Sequence, residues 1–302
     1  MKNVYLFWFL LLASTSLFAQ TYTGHLTLTT QAEVDAFNYK KIIGSLQISG
    51  SDIIRIDSLY KLDTIINGAV DINNTNIVNL YGLRNLKTSV NSNVDLSISN
   101  NAKLTDIGNI RNLILSKYVS SYRHGYFGAL SIINNTALVN INNLFTGLAE
   151  YTIDQLIISD NPALNNLILN TGVHNFYFKN NNAIQKITFQ NRYTTLVRFE
   201  IENNNNLDSI LYSYPPFVEG LKMYIKNNKK LHHLDRLDPY YKYIDTFLIE
   251  KTLQNPQEYR FFIIITNHEY SGFIGGMKMQ IGNWWVYAGL FLIKNTHFPL
   301  TD

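Results

Sequence analysis

The chain has 302 residues, enough for a sizeable hydrophobic core in one or two domains. It is 46% hydrophobic and only 16% charged, with a formal net charge of +3, which excludes a disordered chain and the charge blocks of a nucleic-acid-binding tail. The absence of cysteine excludes disulfides, thiolate metal sites, a Cys nucleophile and a lipid-modified cysteine. Asparagine is the outlier at 38 residues. It favours turns over helices, so many short strands joined by turns are expected.

The first element is an export signal. Lys2 gives a positive start, Val4 to Ala13 is an unbroken apolar run, and Leu17-Phe18-Ala19-Gln20 offers cleavage after Ala19. Residues 1–19 are therefore read as a signal peptide. The ten-residue run covers only about half of a bilayer core, so a membrane anchor is the weaker reading. The mature chain is expected to be secreted or held on the outer cell surface. An exported chain without cysteine suggests a bacterial source.

From there a repeat dominates. Leu26-Thr27-Leu28 opens it, and two shorter copies follow, Leu46-Gln47-Ile48 to Ile53 and Val70-Asp71-Ile72 to Ile77. Six longer copies place an asparagine three residues, and an apolar residue six, beyond the second strand anchor. They are Leu96-Ser97-Ile98 with Asn101 and Leu104, Leu130-Ser131-Ile132 with Asn135 and Leu138, and Leu156-Ile157-Ile158 with Asn161 and Leu164. Phe176-Tyr177-Phe178 with Asn181 and Ile184, Phe199-Glu200-Ile201 with Asn204 and Leu207, and Met223-Tyr224-Ile225 with Asn228 and Leu231 complete the set. Phe247-Leu248-Ile249 closes the series, whose anchors recur every 20 to 34 residues. Alternating apolar residues put one strand face inward, and a single copy cannot bury that face, so copies must stack into a parallel sheet. A buried asparagine satisfies turn backbone groups, and its loss is expected to cost about 1–3 kcal/mol.

These motifs resemble leucine-rich repeats, and are most similar to the irregular variety of receptor L-domain-like bacterial surface proteins. Gly44-Ser45-Leu46-Gln47-Ile48, Gly82-Leu83-Arg84-Asn85-Leu86 and the helix-like opening Thr30 to Phe37 carry the resemblance, which covers roughly residues 22 to 253. It implies a β-rich solenoid: a parallel β-sheet of leucine-rich-repeat-like coils with an Asn ladder, an irregular convex side and a short N-terminal helical cap. It also implies an exported binding or adhesion module, and it carries over no catalytic residue. The chain departs from the pattern in an insertion near Leu115 to Gly128, rich in Tyr122, Arg123, His124 and Tyr126, and in residues 254–302, where the repeat fades. That last segment is read as a hairpin pair capping the solenoid of residues 20–253. Trp284 to Ile293 is too short to span a membrane.

No G-x-S-x-G, H-E-x-x-H or P-loop occurs. His232 and His233 are adjacent, so on a strand they face opposite ways. Neither a cofactor nor a metal is expected, and the protein is read as no enzyme. Registering the strands gives an outward row of Gln47, Asp71, Ser97, Ser131, Ile157, Tyr177, Glu200, Tyr224 and Leu248. Beside it runs Ser49, Asn73, Ser99, Ile133, Ser159, Lys179, Glu202, Lys226 and Glu250. The candidate ligand face is thus Tyr177, Lys179, Glu200, Glu202, Tyr224 and Lys226, with Tyr122, Arg123, His124 and Tyr126 as loop candidates. Tyrosine offers a flat apolar ring and a hydroxyl, which suits an extracellular protein or a glycan. Opposite charges on adjacent strands also suit a merely solvated sheet. Nucleic acid is not an expected partner. The competing readings are a carbohydrate-active parallel β-helix enzyme and a structural adhesin stalk without a discrete site.

Overall fold

The computed structural model describes residues 20–88, 94–115, 125–146, 148, 151–190, 196–213, 217–231, 233–234, 244–252, 259–266, 277–281 and 284–292. The expected signal at residues 1–19 lies outside them, as do Tyr122, Arg123, His124 and His232. Among the described residues the fold is β-rich, with parallel sheets and few helices. This arrangement is compatible with a parallel β solenoid. No described helix is long and apolar enough to cross a membrane.

The repeat strands pair side by side in chain order. Leu26–Leu28, Leu46–Ser49, Val70–Asn73, Leu96–Ser99, Gly125–Ile133, Tyr151–Ser159, Gly172–Lys179, Leu196–Glu202, Phe217–Lys226 and Ile244–Thr252 form one parallel run. The anchors stay in register: Leu46 faces Val70, Val70 faces Leu96, Leu96 faces Leu130, and Phe176 faces Phe199. Their side chains are buried, while the residues between them, at Gln47, Ser97, Tyr177, Glu200 and Tyr224, are not. Period-two alternation thus fixes which face is core.

Seven of these strands, from Val70–Asn73 to Phe217–Lys226, turn through a left-handed residue. Asn74, Asn100, Asn134, Asp160, Asn180, Asn203 and Asn227 have φ between 53° and 59°. Asn and Asp tolerate this region better than other residues with a side chain, which explains why the motif carries Asn-Asn or Asp-Asn pairs. The second residue of each pair turns inward. Asn101, Asn135, Asn161, Asn181, Asn204 and Asn228 are all buried. Asn161 shows the bonding: its Nδ2 donates to the Ile132 carbonyl at 2.9 Å and the Ser159 carbonyl at 2.8 Å, and its Oδ1 accepts from the Asn135 N–H at 3.0 Å. Thr75 holds the equivalent place one coil earlier, donating its N–H and hydroxyl to Asn101 Oδ1 at 3.1 and 2.7 Å.

The other side of the coil changes along the chain. Short 3-10 helices at Asp57–Lys61, Tyr81–Leu83, Gly108–Ile110 and Asn142–Phe145 occupy it first. Beyond them the expected irregular backbone gives way to a second parallel sheet of Asn166–Leu169, Lys186–Phe189, Ser209–Tyr212 and His233–Leu234. Its inward residues Leu167, Leu169, Ile187, Phe189, Ile210 and Tyr212 alternate as a strand requires. Rings fill the space between the two sheets: Phe189 lies 5.4 Å from Phe176 and 5.7 Å from Phe199, and stacks on Tyr212 at 5.0 Å. Burial pushes the Tyr212 phenol well above its usual pKa.

At the N-terminal end, the Gln31–Asp35 helix is closed by a capping box. The Thr30 hydroxyl accepts from the Glu33 N–H, and the Glu33 carboxylate accepts from the Thr29 and Thr30 N–H groups. Those bonds hold the Glu33 carboxyl below its ordinary pKa. A third sheet, parallel and of four strands, Thr21–Thr23, Lys41–Ile43, Thr64–Ile66 and Lys87–Thr88, runs alongside this end. At the other end, Tyr259–Thr266 pairs antiparallel with Ile244–Thr252, Trp284–Leu292 with Tyr259–Thr266, and Met277–Ile281 with Trp284–Leu292. The final strands therefore join the main sheet edge-on.

Candidate functional site

The six expected face residues lie together on three neighbouring strands. Tyr177, Glu200 and Tyr224 are mutual register partners, as are Lys179, Glu202 and Lys226. Lys179 Nζ sits 3.4 Å from both Glu200 Oε1 and Glu202 Oε2. Glu200 is drawn down between its neighbours, with its side chain only 13% exposed. The two carboxylates of this face are thus held by an ammonium and are not an open acid–base pair.

One residue of the site was missed by the register argument. Arg198 follows a register shift in the Leu196–Glu202 strand and reaches the same face two residues before Glu200. Its guanidinium lies between the two tyrosines, 5.8 Å from the Tyr177 ring centre and 5.2 Å from that of Tyr224. Lys226 Nζ lies 5.9 Å from the Tyr224 ring from its own strand. Arg198 Nε is 3.5 Å from Glu200 Oε2 but makes no hydrogen bond among the described residues. The result is a stripe of ring, guanidinium and ring, with the rings two strands apart, about 10 Å. A guanidinium stacks on aromatic faces and keeps its in-plane donors available. The signal that would have found Arg198 is period two itself, since it lies two residues before Glu200 on the same face.

The N-terminal half of the face differs. Gln47 Nε2 and Asn73 Nδ2 both donate to Asp71 Oδ2, at 3.3 and 2.6 Å, and the Ser49 hydroxyl donates to Asn73 Oδ1 at 2.7 Å. These small groups satisfy one another and present no ring. Of the loop candidates, Tyr126 falls within the Gly125–Ile133 strand and pairs in register with Thr152. The next residue, Phe127, is buried. Among the described residues no three His, Asp or Glu side chains converge to hold a metal ion.

Comparison with known proteins found no family model, no curated protein and no solved structure that matches this chain.

Proposed function

We propose that this chain is an exported, non-enzymatic surface protein that binds an extracellular glycan or protein through the Tyr177–Arg198–Tyr224 stripe. In this reading the finer architecture is a leucine-rich-repeat-like solenoid in which the buried asparagines form a ladder, as in receptor L-domain-like bacterial surface proteins. The observation that carries the proposal is the guanidinium set between two partly exposed tyrosine rings on one face of the sheet. Rings about 10 Å apart suit successive units of an extended ligand, and arginine between them supplies donors to hydroxyl or carbonyl groups.

Replacing Tyr177 and Tyr224 together by Ala is expected to weaken binding to a glycan panel or to whole cells about tenfold or more, each lost ring contact being worth roughly 1 kcal/mol. The melting temperature should change little, because neither ring belongs to the core. Undiminished binding at an unchanged melting temperature would remove this face from consideration. Charges on the face largely neutralise one another, so its affinity should vary weakly with salt. Export has its own check. The chain purified from its native host is expected to begin at or near Gln20, read by terminal sequencing or intact mass, and retention of Met1 would count against export by a cleaved signal.

A further inference from the structure

A second surface, away from the sheet face, carries a larger excess of positive charge. An open groove with a cavity volume of about 600 Å³ is lined by Lys40, Tyr60, Lys61, Asp63, Lys87, Asn85 and Asn112. Its lysines come from three successive coils. Lys40 precedes the Lys41–Ile43 strand, Lys61 ends the Asp57–Lys61 3-10 helix, and Lys87 begins the Lys87–Thr88 strand. Register places Lys41, Thr64 and Lys87 side by side on adjacent strands.

The charge does not cancel here as it does on the sheet face. Asp63 is the groove's single carboxylate, bonded to the Thr64 hydroxyl at 2.8 Å and to Lys40 at 3.5 Å. Lys61 donates to the neutral Asn38 amide at 3.0 Å. Lys87 is exposed and has no ion-pair partner among the described residues. Tyr60 is 46% exposed beside them, with the Arg84 guanidinium 5.8 Å and the Lys61 Nζ 6.0 Å from its ring centre. The Asn85 and Asn112 amides are anchored through their Nδ2 groups on the Tyr60 and Arg84 carbonyls. Among the described residues nothing donates to either side-chain oxygen, so each can accept from a hydroxyl.

We infer that this groove binds an anionic glycan, an oligosaccharide bearing carboxylate or sulfate groups. Three ammonium groups against one carboxylate attract the charged substituents. The exposed tyrosine ring gives a sugar ring a face to stack on, and the anchored amides take its hydroxyls. The volume exceeds what a single phosphate or sulfate fills and suits a short saccharide.

The test titrates the full chain with an oligogalacturonate, a sulfated glycosaminoglycan fragment, a neutral malto-oligosaccharide of equal length and a single-stranded oligonucleotide. At least one acidic saccharide should bind about tenfold or more tightly than the neutral one, and lose that advantage near 1 M salt, where the Debye length is about 3 Å. The two acidic arms separate carboxylate from sulfate recognition. The K40Q/K61Q/K87Q variant should lose the preference at an unchanged melting temperature, and Asp63→Asn should strengthen it severalfold. The Tyr177 and Tyr224 double variant should retain it, which separates this groove from the sheet face. The inference is overturned if neither acidic saccharide outcompetes the neutral one, if the triple variant binds undiminished, or if the oligonucleotide binds more tightly than both.

Discussion

Replacing Asn181 by Ala is expected to lower stability by about 3–5 kcal/mol, a large part of what holds a typical domain folded. One unsatisfied buried group on its own costs about 1–3 kcal/mol. The side chain serves three backbone groups at once. Its Nδ2 donates to the Ile158 and Lys179 carbonyls at 3.0 and 2.8 Å, and its Oδ1 accepts from the Asn161 N–H at 3.0 Å. All three are lost together, at a side chain that is fully buried. Asn206 is the control: it is exposed and makes one side-chain bond, to the Asn182 carbonyl at 2.7 Å. Its Ala variant should lose under about 1 kcal/mol in urea denaturation. Equal losses at the two positions would show that the inward asparagines carry no special burden.

Gly44→Ala is expected to cost about 3 kcal/mol or more, or to prevent folding of the N-terminal coils. Two causes combine. Gly44 has a φ of +132°, a conformation that residues with a side chain rarely adopt, and an added Cβ would lie 2.1 Å from the Gly24 carbonyl oxygen. Backbone of the preceding coil cannot give way as a flexible side chain can. Gly68, one coil later, separates the causes, because its Cβ would lie 2.0 Å from the Gly44 carbonyl oxygen. Gly24 supplies the other arm: its φ is +119°, but the nearest contact is a tyrosine ring atom at 3.9 Å. Thermal melts should therefore rank Gly24→Ala well above Gly44→Ala in stability, with a loss of about 1–2 kcal/mol for the former. If the two variants melted together, close packing of the coils would not be the reason for glycine here.

The parallel strands were legible because two simple rules coincide in them. Alternation at Leu96 and Ile98, or Phe176 and Phe178, marks the buried face, and the asparagine three residues on marks the turn. The second sheet was not read, although Leu167 and Leu169 or Ile187 and Phe189 alternate in the same way. Those stretches are four residues long and carry no repeated polar residue to mark their ends. Gly44 was visible as part of a motif, but its reason lies in the Gly24 carbonyl of another coil, which sequence spacing does not reveal. The face residues followed from register, whereas Arg198 lies one alternation outside the three-residue repeat motif, just after a register shift. The lysines at 40, 61 and 87 belong to two strands' edges and a 3-10 helix, so no single periodicity gathers them.

The asparagine bonds also have a direction. The Asn101 N–H is accepted by Asn135, that of Asn135 by Asn161, that of Asn161 by Asn181, and so on to Asn228. Each coil's turn is thus latched by the coil that comes after it in the chain. A ribosome delivers these segments in that same order, so each newly arrived turn can lock its predecessor and leave only its own turn open. Growth is therefore expected to proceed from a single advancing front, and unravelling to start from the last of these turns and run backwards.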